Sequence, residues 1–587
     1  MNKTYAIDFE TYYAANYSVS ALGPYAYTHH PEFDAYLVAI HEVVPEGVVG
    51  FRYCGEPSGM DWSRLDGALL VAHNAGFDRA VFSRLQELRV IPGTLRAEWA
   101  DTADMAAYLC APRNLKNAAQ QLLGVTPDKT VREEMRGITW AQAKERGWRD
   151  RLIAYCAADA ELCARLWRDH ADKWPEHERR ISTLNREMAE GGIFVDAAKL
   201  QEARAILGAR IAEAQTAIPW SSSAAIGSRK AYNAQCAKEG IAAPTSLDKN
   251  SPEYQAWAAA NKEAHPWIAA VSEYRSCNSM LEKLNVLQER LRPDGFADAN
   301  TLLYCGAGTG RFSGSGGFNI QNLPKSVHQG VDLRGLFIPR PGHKFIISDL
   351  SQIEARVLLY LAGDMQQLEV IASGISVYEA HARATMSWTG GKLKEENPGL
   401  YALAKARVLG LGYGCGKVRF RDLADRMAGV KLTEEEAARQ VEAYRNSNPK
   451  ITALWSSLDT RLHMSMGGDF VMKLPSGRKL TYRNVHPFFG EWLSTLQGRN
   501  VTSYGGKLTE NLVQATARDI FCGQLLAIAD AGFTIRFHVH DEAIVEVPEQ
   551  HAEAAAAEIN AIMSTAPSWA PGLPLAAETI IADKYTK

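Results

Sequence analysis

The segment "IRFHVHDEAIVEVPE", residues 535–549, contains two short runs of alternating apolar residues with acidic side chains between them. Ile535 and Val539 lie before the acids on one face of the first run, so the segment predicts a β-hairpin. Tight hairpin turns usually contain Asn-Gly or Asp-Gly, whereas here Asp541 and Glu542 are adjacent. Two like charges indicate either a solvated turn, where Asp is common, or a site for a divalent cation that neutralises their repulsion. The segment alone leaves both interpretations open.

Two histidines in the same segment, His538 and His540, share one face of the predicted strand. Such a pair can bind zinc, but zinc sites require further Cys or His ligands, and none lies beside them. The pattern therefore disfavours zinc.

Length and composition indicate a globular chain of several domains. The chain has 587 residues, 46% apolar and 22% charged, with a net charge of -3. The nine scattered cysteines form no CxxC pair, which favours reduced thiols over a disulfide framework. The sequence shows neither a signal peptide nor an uncharged apolar run of about 18 residues, so it predicts a soluble, cytoplasmic protein.

A partner for Asp541 is found in "KFIISDLSQIEARVLLYLAGD", residues 344–364. A β-rich run ends at Asp349, and Ile353 and Val357 then begin an apolar spacing of four that predicts a helix. Asp349 at this strand-to-helix switch is either a helix N-cap or an acid that projects into a cleft. Both interpretations stay open at this point.

The segment "YALAKARVLGLGYGCGKVRFRDLADR", residues 401–426, combines a helical pattern with a run of glycines. Four residues recur every four positions: Tyr401, Lys405, Leu409 and Tyr413. This spacing predicts a helix on which they form one stripe that winds slowly around the axis. The glycines at positions 410 to 416 remove side chains where a flat or bulky group approaches the backbone. A phosphate-binding P-loop is excluded because Leu411 and Val418 stand where that motif needs Gly and Ser or Thr. Residues 401–431 contain seven Lys or Arg and two Asp, which indicates either phosphate binding or a solvated helix face.

Near the amino end, three spaced pairs contain four acids. Asp8 and Glu10 are two apart, which places both on one side of a strand, and two further pairs are four apart: Asn74 with Asp78, and Tyr155 with Asp159. Unrelated surface acids would also fit. A cluster of four acids would instead require cations, and two divalent ions can hydrolyse a phosphodiester.

These pairs resemble, in order, the DxE, Nx3D and Yx3D motifs of 3′–5′ exonucleases. The resemblance implies that Asp8, Glu10, Asp78 and Asp159 bind metal, that Tyr155 orients the attacking water and that Asn74 contacts DNA. It also implies a ribonuclease H-like mixed sheet flanked by helices over residues 1–175.

Three segments of the second half, "DLSQIEAR", "KARVLGLGYG" and "VHDE", look like motifs A, B and C of the family A (DNA polymerase I-like) DNA polymerases, in the right order. Upstream, "GTGRFSGSGGFNIQNLP", residues 308–324, resembles the primer-template segment of that family, and "NLVQATARD" resembles the helix before motif C. The chain is most similar to the shorter bacteriophage-type members. The resemblance implies an α/β (α+β) fold in which the exonuclease domain precedes a right-hand polymerase.

The polymerase resemblance implies roles for individual residues. Asp349 and Asp541 would hold two Mg²⁺ ions, and the exonuclease acids would hold two more. Mn²⁺ is a substitute for Mg²⁺ at both sites. Glu542 would be an auxiliary acid. Lys405 would meet the triphosphate and could protonate the leaving pyrophosphate, and Glu354 would crowd the 2′ position of the sugar. Nucleotide contacts are further implied for Gln352, Arg407, Leu409 and Tyr413, and DNA contacts for Arg311, Asn322, Gln514 and His540.

The chain departs from the family pattern at two positions of motif B. Tyr401 stands where an Arg usually grips phosphate, so Arg407 or another nearby cation is the candidate substitute. Leu409 replaces the usual aromatic residue, so we expect altered discrimination at the 3′ position of the sugar. Both departures concern the nucleotide contacts and neither concerns the metal-binding acids.

The sequence thus predicts a template-directed DNA polymerase with a proofreading exonuclease, which replicates a phage genome in a bacterial cytoplasm. The expected domains are an exonuclease at 1–175, thumb and connecting helices at 176–295, palm at 296–364 and 475–587, and fingers at 365–474. Expected partners are primer-template DNA and deoxynucleoside triphosphates, with a helicase, a single-strand-binding protein or a processivity factor as candidates; we expect a monomer with no membrane contact.

Three rival functions fit parts of the pattern. They are an exonuclease with a degenerate polymerase half, a non-catalytic nucleic-acid-binding scaffold, and a single-subunit RNA polymerase. The presence of both Asp349 and Asp541 argues against the first. Eight plausible metal-binding or catalytic carboxylates in two sets argue against the second, and Glu354 with the attached exonuclease motifs favours DNA synthesis over the third.

Overall fold

The computed structural model describes residues 3–127, 130–249 and 251–586. Its first part contains five strands: β1 Thr4–Thr11, β2 Ala35–Glu42, β3 Arg52–Gly55, β4 Ala68–Ala72 and β5 Ala97–Asp101. They form one mixed sheet in the order β3-β2-β1-β4-β5, in which β1 is antiparallel to β2 and parallel to β4. The helices around it are α1 Val19–Leu22, α2 Pro24–Thr28, α3 Ala75–Glu87, α4 Thr102–Tyr108, α5 Leu115–Leu123, α6 Thr130–Glu134, α7 Trp140–Glu145 and α8 Arg149–His170.

The alternation of side chains in β1 decides which of them face the acidic cluster predicted near the amino end. Ile7 and Phe9 are buried in the apolar cluster on one face, while Asp8 and Glu10 are half-buried on the other. This is the arrangement that the spacing of the two acids predicts, because successive side chains of a strand point to opposite faces.

The middle of the chain is mostly helical, as predicted. It contains α9 Glu176–Gly191, β6 Ile193–Phe194, α10 Ala197–Thr216, α11 Arg229–Lys238, α12 Pro252–Asn261, α13 Trp267–Glu289 and β7 Phe296–Ala297. The Asp196 side chain accepts a hydrogen bond from the Lys199 amide and caps α10. The long helices α10 and α13 pack against each other and share an apolar core with the sheet that follows.

The remaining strands form two larger sheets and one small ribbon. These strands are β8 Leu302–Leu303, β9 Ser313–Gly314, β10 His343–Leu350, β11 Phe470–Lys473, β12 Lys479–Phe488, β13 Glu491–Leu496, β14 Arg499–Ser503, β15 Thr534–Val539, β16 Glu542–Pro548 and β17 Ala577–Ala582. The sheet β15-β16-β10-β17 is antiparallel throughout, and β11 to β14 form a separate antiparallel meander. Strand β10 lies between β16 and β17, so its last residues are flanked on both sides.

The helices of this half are α14 Ile353–Ala362, α15 Met365–Ala372, α16 Val377–Thr385, α17 Leu393–Glu396, α18 Pro398–Leu411, α19 Lys417–Ala428, α20 Glu434–Ser447, α21 Pro449–Met464, α22 Gly505–Asp530 and α23 Ala552–Met563. Helices α14 and α22 pack together on one face of the β10 sheet, where the largest apolar core includes Ile346, Val513 and Phe521. This core fixes β10 relative to the hairpin of β15 and β16.

A buried ion pair links α9 to α22. The Arg518 guanidinium donates to both carboxylate oxygens of Glu178, at 2.6 and 2.9 Å, and the Tyr304 hydroxyl donates to the same carboxylate at 2.5 Å. Burial alone would raise the pKa of Glu178, but the Arg518 charge outweighs it and lowers that pKa to about 2. The pair therefore joins the helix after the first sheet to the helix beneath the hairpin.

Replacing Glu178 with glutamine is expected to lower the free energy of unfolding by about 3–5 kcal/mol. The change removes the closer counter-ion of the buried Arg518 charge and leaves it only Asp519, which already pairs with Arg478. Urea unfolding at pH 7 measures the loss. Since the folded-state pKa of Glu178 lies below its ordinary value of 4.5, the stabilisation is present above pH 4.5 and is lost as the pH falls toward 2.

The matched control for this substitution is Glu176→Gln, because Glu176 is exposed on the same helix. It should change the free energy of unfolding by less than about 0.5 kcal/mol. Equal losses in the two variants would contradict the role assigned to the buried pair.

Candidate active sites

Asp349 and Asp541 lie at the same end of the β10 sheet. Strand β10 pairs with β16 so that Asp349 is opposite Glu542, and the Leu350 amide donates a 3.2 Å hydrogen bond to the Asp541 carbonyl. Helix α14 begins later, with Gln352 at its N-cap, so the interpretation of Asp349 as an N-cap is wrong. The strand and the hairpin tip therefore bring two acids together that are 192 positions apart in the chain.

The hairpin turn differs in one detail from the sequence prediction. The turn consists of His540 and Asp541, with His540 exposed at φ 58°, while Glu542 is the first residue of β16. Glu542 is only 2% exposed, and the Tyr585 hydroxyl donates a 2.8 Å hydrogen bond to its carboxylate. The two adjacent acids thus have different surroundings, because the second already belongs to the strand and faces the core side near Tyr585.

A further acid of this site, Glu578, was not predicted from the sequence. It lies opposite Asp349 on β17, so Glu542, Asp349 and Glu578 form a row across three strands. Glu578 is exposed and belongs to no motif. Only the strand register reveals it.

The two histidines of the hairpin have different surroundings. His538 is fully buried, with its ring 4.4 Å from Phe312 and 5.7 Å from Phe521, and burial lowers its pKa to about 3. His540 lies instead in the exposed turn and lines a small cavity with Arg311, Gln321 and Asp541. The two rings therefore do not form a joint ligand set.

The helix that carries Lys405 is shorter than the spacing predicted. Helix α18 ends at Leu411, so Tyr413 lies beyond it, and Lys405 and Leu409 are half-buried. The Arg407 guanidinium packs 5.9 Å from the ring of Tyr444, and Arg407 is only 3% exposed. Its charge is thus turned into the helical core, which does not support Arg407 as a substitute for the missing phosphate-gripping Arg.

Several residues with implied nucleotide or DNA contacts meet one another. The Arg311 guanidinium and the Glu354 carboxylate form a 2.5 Å ion pair. Burial raises the pKa of the Tyr413 hydroxyl well above its ordinary value, and the nearby Glu354 adds to this shift. These contacts place Glu354, Arg311 and Tyr413 around one space.

Other predicted contact residues have their own local partners. The Gln352 side chain accepts from the Val377 amide at 2.9 Å, and the Gln514 amide group donates to Glu510 at 3.2 Å. Asn322 is exposed next to the cavity-lining Gln321.

The glycines after α18 are approached by the protein itself. A Cβ on Gly412 would lie 2.7 Å from a Leu358 methyl group, and a Cβ on Gly506, at the start of α22, would lie 2.2 Å from the Tyr413 carbonyl oxygen. The sequence predicted that a flat or bulky group approaches the glycines at positions 410 to 416. In the structure, residues of α14 and α22 pack close to Gly412 and to the Tyr413 backbone.

Substituting Gly506 with alanine is expected to displace the Tyr413 backbone, because no real Cβ contact is as short as 2.2 Å. We expect a loss of about 1–3 kcal/mol of stability. Urea unfolding measures this loss.

Gly523→Ala is the matched control, since the same helix has open space at that position. This control should be neutral or up to about 1 kcal/mol more stable, because alanine is the better helix former. Wild-type behaviour of the Gly506 variant would show that the Tyr413 backbone tolerates the shift.

The second acidic cluster surrounds β1. The Phe9 amide donates a 3.0 Å hydrogen bond to the Asp78 carboxylate, which brings α3 against the strand that carries Asp8 and Glu10. Burial raises the pKa of Asp78 well above its ordinary value, and Asp101 and Glu10 raise it further. A buried acid beside other acids is unfavourable by itself, and a divalent cation would relieve that cost.

Helix α8 completes the cluster. Burial raises the pKa of Tyr155, and the nearby Asp159, Glu10 and Asp8 carboxylates raise it further, so the hydroxyl stays protonated among the acids. Ligand atoms of Asp8, Glu10 and Cys156 lie within 4.8 Å of one another. The three predicted motifs therefore meet at one place, and the donor set fits divalent cations.

Asn74 is exposed at the start of α3 with φ 80°, in the left-handed region that Asn tolerates. Asp101 holds it there, because its carboxylate accepts from the amides of Asn74 and Ala75 and also caps α4. Asp101 was not predicted from the sequence, in which its position before a helix is the only signal.

In the described part of the chain, every helix is too short or too polar to span a bilayer.

Comparison with known proteins identifies the family. The model of "DNA polymerase family A" matches residues 198–587, well over half of the chain. A DNA polymerase of Bacillus phage SP02 is 27% identical and aligns over 100% of both chains. The thermostable DNA polymerase I of Thermus aquaticus is 28% identical over 50% of this chain and 33% of its own length.

A solved structure supports the fold. The POL domain of Pol1 from M. smegmatis, in complex with DNA primer-template and dNTP, superposes with a TM-score of 0.70 at 20% identity, covering 100% of this chain and 95% of that one. The predicted α/β fold with right-hand architecture is thereby confirmed. On the extent of the family match, the chain belongs to DNA polymerase family A.

Proposed function

We propose that the chain is a template-directed DNA polymerase that extends a primer 3′ end with deoxynucleoside triphosphates, with a 3′–5′ exonuclease that proofreads. The observation that supports it most is the hydrogen bond between the Leu350 amide and the Asp541 carbonyl, which holds Asp349 and Asp541 at one edge. The full-length similarity to a phage DNA polymerase supports a role in phage genome replication.

At the polymerase site, Asp349 and Asp541 would hold divalent ions, with Glu542 kept in place by Tyr585. Bound Mg²⁺, or Mn²⁺ in its place, supplies stabilisation of the attacking and leaving oxygens of an in-line displacement. Lys405 would contact the triphosphate and donate a proton to the departing pyrophosphate. The Glu354 carboxylate, held by Arg311, would exclude a ribose 2′-hydroxyl.

Further contacts around the nucleotide belong to the same proposal. Gln352, Leu409 and Tyr413 would line the nucleotide, while Arg311, Asn322, Gln514 and His540 would contact primer-template DNA. Leu409, which packs among aromatic residues that include Tyr378, would change discrimination at the sugar 3′ position. Arg407 is left out of this set because it is buried.

At the exonuclease site, Asp8, Glu10, Asp78 and Asp159 would hold the cations and Tyr155 would orient the attacking water. Asn74, exposed at the start of α3, would contact the DNA strand. Residues 1–175 would form this domain, followed by thumb helices to 295, palm segments at 296–364 and 475–587, and fingers at 365–474.

Primer extension on matched and mismatched primer ends tests the proposal, with Asp349→Ala and Asp8→Ala variants beside the wild type. The wild type should remove a mismatched end and then extend. Asp349→Ala should degrade without extending, and Asp8→Ala should extend matched ends without removing mismatches. A wild type that degrades but never extends would favour an exonuclease with a degenerate polymerase half, and loss of both activities in each variant would refute two separate sites.

A further inference from the structure

A pair of thiols lies behind the exonuclease acids. In the sheet, Asp8 on β1 is opposite Ala39 on β2, and Ala39 is opposite Cys54 on β3. Residues opposite one another on paired strands share a face, so Asp8 and Cys54 lie on the same face of the sheet. Two strand spacings, each of about 4.8 Å, separate them. Helix α8 packs across β1, β2 and β3.

Asp8, Ala39 and Cys54 thus form a row across three strands. Two residues of α8, one turn apart, contact the two ends of this row. The Cys54 thiol lies 3.3 Å from the Ile153 carbonyl, while the Cys156 sulfur lies 3.7 Å from the Asp8 carbonyl and 3.9 Å from its carboxylate. Cys54 also packs against the buried cluster that contains Cys156. Cys156 thus contacts a predicted catalytic acid, while Cys54 packs against the cluster around it.

Cys54 is the more exposed thiol of the pair. All nine cysteines fall within the described ranges, and seven of them are buried, while Cys54 and Cys415 are partly exposed. Cys54 lines a surface groove together with His41, Tyr53 and Ala157. A small solute can therefore reach Cys54, whereas Cys156 is fully buried.

We propose that Cys54 and Cys156 are an oxidation site whose disulfide turns off the exonuclease and leaves the polymerase active. The oxidant is a peroxide: Cys54 sulfur attacks one peroxide oxygen, releasing water and forming a sulfenic acid. Cys156 sulfur then displaces the second water and forms the S–S bond, so two thiols and one hydrogen peroxide give one disulfide and two waters.

The disulfide would inhibit the exonuclease by displacing Tyr155 from its place beside the acids. It requires the two sulfurs to approach to about 2.05 Å, which draws the Cys156 sulfur away from Asp8 and toward β3. Tyr155 is the adjacent residue of α8, and its hydroxyl lies among the Asp8, Glu10 and Asp159 carboxylates. Misplacing it by about 1 Å is enough for a large loss of rate. The inhibitory part of this inference rests on the proposed exonuclease.

The test treats the full chain with hydrogen peroxide, removes the peroxide with catalase and measures three quantities. Peptide mapping by mass spectrometry should find a Cys54–Cys156 linkage. Single-stranded exonuclease activity should fall at least about tenfold and return with dithiothreitol, while primer extension on a matched end should stay within about twofold.

Cys54→Ser should keep its exonuclease activity under the same treatment, and Cys415→Ser, which removes the other partly exposed thiol, should respond like the wild type. Absence of the linkage in treated protein, an unchanged exonuclease rate despite the linkage, or equal inactivation of Cys54→Ser would each overturn the inference. If untreated wild type has no exonuclease activity, the proposed exonuclease fails instead, and the mapping still decides whether the thiol pair oxidises.

Discussion

An Asp541→Asn variant is expected to lose at least about 1,000-fold in the rate of primer extension, which corresponds to about 4 kcal/mol of lost transition-state stabilisation. The amide has almost the same shape as the carboxylate but lacks its charge, so it is a poor ligand for Mg²⁺. The backbone hydrogen bond from Leu350 to the Asp541 carbonyl is retained, so the fold should be unchanged. Single-turnover incorporation of one nucleotide measures the loss.

The matched control is Glu549→Gln, an exposed acid just after β16. It should extend primers at the wild-type rate. DNA binding by the Asp541 variant, measured by fluorescence anisotropy, should stay within a few-fold of wild type. If Asp541→Asn still extends primers at more than a tenth of the wild-type rate, Asp541 is not a metal ligand of this reaction.

An Asp8→Asn variant is expected to lose at least about 1,000-fold in exonuclease rate while primer extension on matched ends stays within about twofold. Asp8 shares one strand face with Glu10 and meets α8 there, far along the chain from Asp541. Removing one negative charge from a cluster that must bind cations weakens their binding. Degradation of a labelled single strand measures the rate.

Asp150→Asn is the matched control for the exonuclease, because Asp150 is on α8 itself with a 90% exposed side chain. It should leave both activities unchanged. A parallel fall of exonuclease and polymerase rates in Asp8→Asn would indicate a folding defect or a shared site, and either would contradict two independent centres.

Local patterns predicted the elements that carry the acids. The strands β1 and β10 and the hairpin of β15 and β16 follow from the alternation of apolar residues within a few positions. The ordered motifs then predicted which acids meet, and the register of β10 with β16 places Asp349 and Asp541 side by side.

Features that depend on long-range packing could not be predicted. Glu578 joins the row of acids only because β17 pairs with β10, and Tyr585 reaches Glu542 from the end of the chain. The pairing of Glu178 with Arg518 joins residues 340 apart. No periodicity within one segment contains this information.

Helix α18 shows why a regular spacing can mislead. The spacing of four continues to Tyr413, but the helix ends at Leu411, where the following glycines weaken it and α22 packs against the chain. Arg407 fits a basic phosphate-binding face by sequence, whereas its position on the helix turns it toward Tyr444. Charge in a sequence window does not reveal which side of the helix it occupies.

The most direct test of the account is anomalous diffraction from crystals of the chain with primer-template DNA, a non-hydrolysable nucleotide and Mn²⁺. Two bound ions between the Asp349 and Asp541 carboxylates, and separate ions at Asp8 and Glu10, are the predicted result. Clear density for DNA and nucleotide with no manganese peak at Asp349 and Asp541 would contradict it.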